Sequence, residues 1–346
     1  MKKCLLYKKI NENVKCTACS HYCIIQKNQT GLCGIRKNIN GNLFLMVYGK
    51  AAAVNVDPVE KKPLYHFLPG SRIFSFGTFG CDFGCLFCQN WDISQPTREI
   101  RFKENKDELL EEILSSSHDL MPNDIVEYTS KNKIPSIAYT YNEPAVFFEY
   151  AYDTAKLAKG KGIKNVFVSN GYESKEAIAK IKKYLDAANI DLKSFSDEFY
   201  LKICKAKLEP VLKNIEKLYN LGVWVEITTL IIPGKNDSDK ELNQIADFIL
   251  SVSNEIPWHV TAFHPDYKMV DAKPTPISTL IKAYKIGKRV GLKYVYVGNI
   301  SAGKYENTFC PKCNSLVIER RGFFNIKNNL NKGKCKCGYK ISGVWV

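Results

Sequence analysis

The sequence predicts an α/β fold built on parallel strands, and three observations carry that expectation. Apolar, β-branched or aromatic runs recur at residues 72–79, 136–141, 165–169, 187–192, 223–232, 258–263 and 294–297. Charged segments with helical periodicity separate them, as at 107–114, 145–157 and 239–250. Regular strand–helix alternation implies crossover connections, in a barrel or an open doubly wound sheet. With 346 residues and 45% hydrophobic content the chain has material for one large core plus appendages. No apolar run is long enough for a membrane span, and the basic start runs straight into a cysteine motif, so a cytoplasmic protein is expected.

In such folds chemistry belongs at the C-terminal ends of the strands, and polar punctuation falls there. The first strand runs into Gly80-Cys81, the second into Tyr141-Asn142-Glu143-Pro144 and the third into Ser169-Asn170-Gly171. The fourth ends at Asp191-Leu192-Lys193, the fifth at Ile232-Pro233-Gly234 and the sixth at Phe263-His264-Pro265.

Thirteen cysteines in a reducing compartment are to be read as metal ligands before disulfides. They fall into three sets: Cys16, Cys19, Cys23 and Cys33; Cys81, Cys85 and Cys88; and Cys310, Cys313, Cys335 and Cys337, leaving Cys4 and Cys204 over. Net charge divides in the same way. Residues 1–62 carry +8, residues 301–346 carry +7, and residues 63–300 are neutral, which suggests an N-terminal Cys4 module, a core and a C-terminal ribbon with those boundaries. Lys outnumbers Arg 43 to 7, which weakens any reading based on bidentate phosphate recognition.

The central set is C-x3-C-x2-C in a loop after a strand. Structural zinc and ordinary iron–sulfur clusters take four protein ligands, so three thiolates leave a metal position open for substrate or cofactor. The competing interpretation is a zinc site completed by His66 or His118. The N-terminal quartet can hold either zinc or an auxiliary cluster. The C-terminal quartet reads as a zinc ribbon whose second knuckle, Cys335-Lys336-Cys337, is one residue short, so strained ligation is expected there. Lysines between 332 and 340 suit either nucleic acid or a solvated surface.

The triplet, with aromatic Phe87 directly before its last cysteine, resembles the signature of the radical S-adenosylmethionine (SAM) superfamily. That resemblance implies a partial (β/α)6 barrel and a [4Fe-4S] cluster on Cys81, Cys85 and Cys88, with SAM chelating the open iron. The cluster would cleave SAM reductively to a 5′-deoxyadenosyl radical that abstracts hydrogen. It further implies Asn142 and Glu143 beside the SAM ammonium, Lys193 at its carboxylate, Ser169 and Asn170 at the ribose, Phe87 near the adenine, and His264 at the ribose or bound SAM. The order of Asp191-Leu-Lys, Ile232-Pro-Gly and His264 is similar to pyruvate formate-lyase activating enzymes. Those place an Asp of a monovalent-cation site where Val168 stands here, although Asp191 matches another cation ligand.

The whole layout, from about Val14 to the C-terminus, resembles the radical SAM enzyme of the AmmeMemoRadiSam system. Ser20, where proline is usual, and the short last knuckle depart from that pattern. The resemblance implies Memo-like and AMMECR1-like partners and an electron donor such as flavodoxin or ferredoxin. Two flanking metal modules point to a macromolecular substrate. A glycyl-radical-enzyme activase and a metal-stabilised nucleic-acid-binding or RNA-modifying protein are the alternatives.

Overall fold

The computed structural model describes residues 1–345. The chain divides into two compact units. Residues 1–56, 73–186 and 203–206 form the first; residues 57–72, 187–202 and 207 onward form the second.

In the first unit two small antiparallel sheets are built from the N-terminal segment. Tyr7–Ile10, Asn13–Cys16 and Ile24–Ile25 make one, and Lys2–Lys3, Asn42–Leu45 and Arg36–Ile39 the other. Asn40-Gly41 supplies the two-residue turn between Arg36–Ile39 and Asn42–Leu45, a pairing suited to tight hairpins. Beyond them, Ser136–Tyr139 pairs in parallel with Arg72–Gly77 on one side and Lys164–Ser169 on the other. Ser136–Tyr139 is buried at every position, as a parallel strand covered on both faces requires. Helices Pro122–Lys131 and Phe148–Gly160 make the crossovers.

In the second unit Ala187–Asp191, Trp224–Ile231, Trp258–Ala262 and Val295–Gly298 pair in parallel in sequence order. Leu208–Asn220, Asp239–Val252 and Ile277–Val290 connect them. Ser238 starts the second of these helices, its hydroxyl accepting from the Glu241 amide at 3.3 Å. Within each unit the parallel strands lie in sequence order. The C-terminal segment adds an antiparallel sheet, Thr308–Phe309, Leu316–Arg321 and Asn325–Asn328.

Most boundaries differ from expectation by a residue or two, and the larger differences lie around the site. The first strand stops at Gly77 and the second at Tyr139, because Thr78 and Asn142 turn to bond each other. Tyr141 sits at φ 71°, outside any strand. The following helix begins at Phe148 instead of 145. The Glu143 carboxylate accepts from the Ala145 amide at 3.0 Å, so residues 143–147 form a turn at the site.

Candidate functional site

The cysteine loop leaves the first strand and is pinned on every side within the first unit. The Asn142 amide donates to the Thr78 hydroxyl at 3.0 Å and the Gly80 carbonyl at 2.6 Å, and its oxygen accepts from the Thr78 amide at 3.1 Å. Gly84 and Leu86 donate to the carbonyls of Cys204 and Ile203, each at 3.0 Å. The Asp82 carbonyl accepts from Arg98 at 2.9 Å and lies 3.1 Å from the His21 ring nitrogen. Gly80 has φ 90°, and a Cβ there would stand 2.7 Å from the Cys33 carbonyl oxygen. Only glycine lets the loop lie this close to the N-terminal module.

None of the three cysteines is in a disulfide; Cys81 and Cys85 are buried and Cys88 half-buried. Burial, then the neighbouring Asp82 carboxylate, pushes the Cys81 thiol well above its ordinary value. A thiolate here needs positive charge beside it, which bound iron supplies, so the residues fit a metal cluster. The three sulfurs do not gather within 4.8 Å of one another; among the described residues only the C-terminal quartet does so.

Glu143 is fully buried. Its carboxylate accepts from the Asn170 amide at 2.8 Å and from the Ser169 hydroxyl, whose oxygen lies 3.0 and 3.1 Å away. The same hydroxyl lies 2.8 Å from Glu173. The Asn170 side chain reaches Asp82 at 2.8 Å. One network thus joins the second and third strand ends to the cysteine loop. Burial first, and then Glu173 and Asp82, raises the Glu143 pKa well above the carboxylate range; Glu173 is pushed up to about 7 by burial. Phe87 is buried and Val168 half-buried. Sequence reading missed Asp82 and Glu173, although each stands next to or three residues after a residue it did name.

The remaining strand-end residues belong to the second unit. Lys193 forms an ion pair with Asp191 at 2.9 Å. Asn236 donates to the Lys193 carbonyl at 2.7 Å and accepts from the Ile232 amide at 2.6 Å, tying the fourth strand end to the fifth. The His264 side chain is exposed, 4.0 Å from Asp266. His66, considered above as a zinc ligand, has both ring nitrogens engaged: 2.6 Å from the Ser342 carbonyl and 2.6 Å from the Tyr296 hydroxyl. Neither nitrogen is open to a metal. His118 is exposed on a short strand, His118–Asp119.

In the N-terminal quartet, Cys16, Cys19 and Cys33 are buried and Cys23 half-buried. Ser20, which departs from the proline usual in the resembled pattern, donates its amide to the Tyr172 carbonyl at 2.8 Å, a bond proline cannot make. In the C-terminal quartet, Cys310 and Cys337 sulfurs are 3.6 Å apart and those of Cys313 and Cys335 3.7 Å. Four sulfurs about 2.3 Å from one zinc would stand roughly 3.8 Å apart. The short second knuckle still brings its two thiols within 4.8 Å of the other pair. Hydrogen bonding by Ser315 holds the Cys313 thiol down to about 6, which favours the ligating form.

The Radical SAM superfamily matches residues 76–249 of this chain. The chain belongs to that superfamily, and membership implies an enzyme with an iron–sulfur cluster and SAM as cofactors. An uncharacterized protein of Methanocaldococcus jannaschii is 43% identical over 351 residues, covering 99% of this chain and all of the relative. The pyruvate formate-lyase-activating enzyme of Staphylococcus epidermidis is 23% identical over 239 residues, 63% of this chain and 88% of the relative. Among solved structures, Streptococcus suis SuiB bound to S-adenosylmethionine is 13% identical, with a TM-score of 0.49 over 70% of this chain and 53% of that one.

Proposed function

We propose that this protein cleaves SAM reductively at a [4Fe-4S] cluster on Cys81, Cys85 and Cys88 and uses the resulting radical on a macromolecular substrate. When bound, the cluster and SAM supply the electron and a 5′-deoxyadenosyl radical able to abstract hydrogen. The chain's own part is to hold the three thiols apart and away from water, which the bonds from Asn142, Gly84 and Leu86 do. Glu143 is the acceptor for the SAM ammonium, a cation that would offset the repulsion from Glu173 and Asp82 that helps raise its pKa. Lys193, Ser169, Asn170, Phe87 and His264 are assigned the contacts to SAM that the superfamily resemblance implies.

The observation that carries this reading is the loop of three thiols, pinned by Asn142 after the first strand of a radical SAM domain. Incubation of the anaerobic protein with SAM and dithionite should yield 5′-deoxyadenosine, and Cys85→Ala should abolish it. Equal yields from both proteins would refute the assignment.

On this reading the core is a partial (β/α)6 barrel, zinc occupies the ribbon, and the enzyme serves the AmmeMemoRadiSam system with a flavodoxin or ferredoxin as donor. Its Memo-like and AMMECR1-like partners belong to the same proposal, as does a cytoplasmic location. Among the described residues no helix is long and apolar enough to cross a membrane. Similarity to a pyruvate formate-lyase-activating enzyme favours a second reading, an activase. It requires a glycyl-radical signal in a partner enzyme by electron paramagnetic resonance, and silence would remove it.

A further inference from the structure

The geometry points to a second iron–sulfur cluster, held by Cys16, Cys19, Cys23 and Cys33, in place of a structural zinc. All four line one cavity together with Arg36 and Asp82. Charge does not separate the two metals, since four thiolates with either a zinc ion or a [4Fe-4S] core carry about −2. Spacing does. At the zinc–sulfur distance of about 2.3 Å, four sulfurs close on the ion and leave no room among them for a water-sized sphere. The cavity lined by these thiols has a volume of about 10 Å³, room for about one water-sized sphere. No three of the four sulfurs gather within 4.8 Å, whereas the C-terminal quartet of the same chain does. The quartet thus shares its open spacing with the Cys81, Cys85 and Cys88 set. Thiolates on separate corners of a cluster stand wider apart than thiolates on one ion.

Arg36 supplies an independent observation. It is 1% exposed. Its two terminal nitrogens bond Glu149 at 2.8 and 2.9 Å, and one of them also bonds the Val146 carbonyl at 3.1 Å. Its Nε has no partner among the described residues. A buried N–H left unbonded is unfavourable, and cluster sulfurs accept such hydrogen bonds, which tune cluster potential. Asp82 opposes the cluster's negative charge from the same wall. It also connects the two sites, for it is bonded in the chain to Cys81. With four thiolates every iron is occupied, so this cluster is an electron carrier and not a substrate site.

The test is metal and sulfide analysis of the anaerobic full-length protein against its triple variant Cys81→Ala, Cys85→Ala, Cys88→Ala. The triple variant should keep about half of the wild-type iron and sulfide, with about one zinc per chain in each protein. Iron lost entirely from the triple variant, with about two zinc ions per chain, overturns the inference and leaves the SAM centre intact. Iron unchanged by the triple substitution supports the inference and refutes the SAM centre. If the triple variant does not fold, Cys19→Ala with Cys23→Ala in the otherwise native chain should halve the iron; unchanged iron with less zinc overturns the inference. Arg36→Lys, which keeps the charge opposite Glu149, should leave the iron in place and lower the midpoint potential of the retained cluster. An unchanged potential removes the role given to Nε.

Discussion

Asn142 shows how one side chain sets up a site without touching its reacting atoms. Its three hydrogen bonds hold Thr78 and Gly80 in place, directly before the first cysteine ligand. At about 1 kcal/mol for each bond, Asn142→Ala should loosen the loop by roughly 2–3 kcal/mol. The expected result is lower iron retention with an unchanged far-ultraviolet circular dichroism spectrum. His66 offers a second prediction. The Ser342 carbonyl can only accept, so Nδ1 carries the proton and Nε2 accepts from Tyr296. Burial lowers the His66 pKa from 6.5 to about 4. The unfolded chain therefore takes up a proton near pH 6.5 while the folded chain does not until about pH 4. Stability present above pH 6.5 should fall as the pH drops through that window, and His66→Gln should flatten this part of the melting-temperature profile.

At the level of elements, close approach decides more than propensity. Gly80 and Gly162 both have positive φ, 90° and 73°, but an added Cβ meets the Cys33 carbonyl and Ile35 at Gly80 and nothing within 4 Å at Gly162. Gly162→Ala should show only the left-handed backbone penalty, about 1–2 kcal/mol. Gly80→Ala adds overpacking of about 1–3 kcal/mol, so its urea midpoint should fall further and its iron content with it. The strands, their order along the chain and the polar strand ends were legible because alternation and turn chemistry are local. The exact ends were not. The first strand stops early because Asn142, more than sixty residues away, claims Thr78. Arg36 was hidden for the same kind of reason, since its partner Glu149 comes from a distant helix. Its only sequence signal was an arginine three residues after Cys33 in a chain rich in lysine.

For the whole molecule, the formal charge of +15 overstates the field. Each four-thiolate site with its metal contributes about −2, so two filled quartets lower the charge by roughly four units before the central site is counted. Native isoelectric focusing of the metal-loaded protein should give a point below the sequence value of about 9.1, and stripping the metals should move it upward. Lys332, Lys334, Lys336 and Lys340 are exposed and flank the ribbon's last two cysteines in sequence.

The sequence by itself determined the α/β alternation, the partition of the cysteines into sets of four, three and four, and the radical SAM signature, because each is written in spacing along the chain. Only the tertiary structure decided how far apart the sulfurs stand. Cys310 and Cys313 are brought against Cys335 and Cys337 to single-ion distance, while the two sets near Gly80 remain open around a cavity and a pinned loop. That difference arises from packing: Gly80 against Cys33, Asn142 against Gly80 and Arg36 against Glu149. Ligand identity is local, but the room left for a metal is set by what packs behind each ligand.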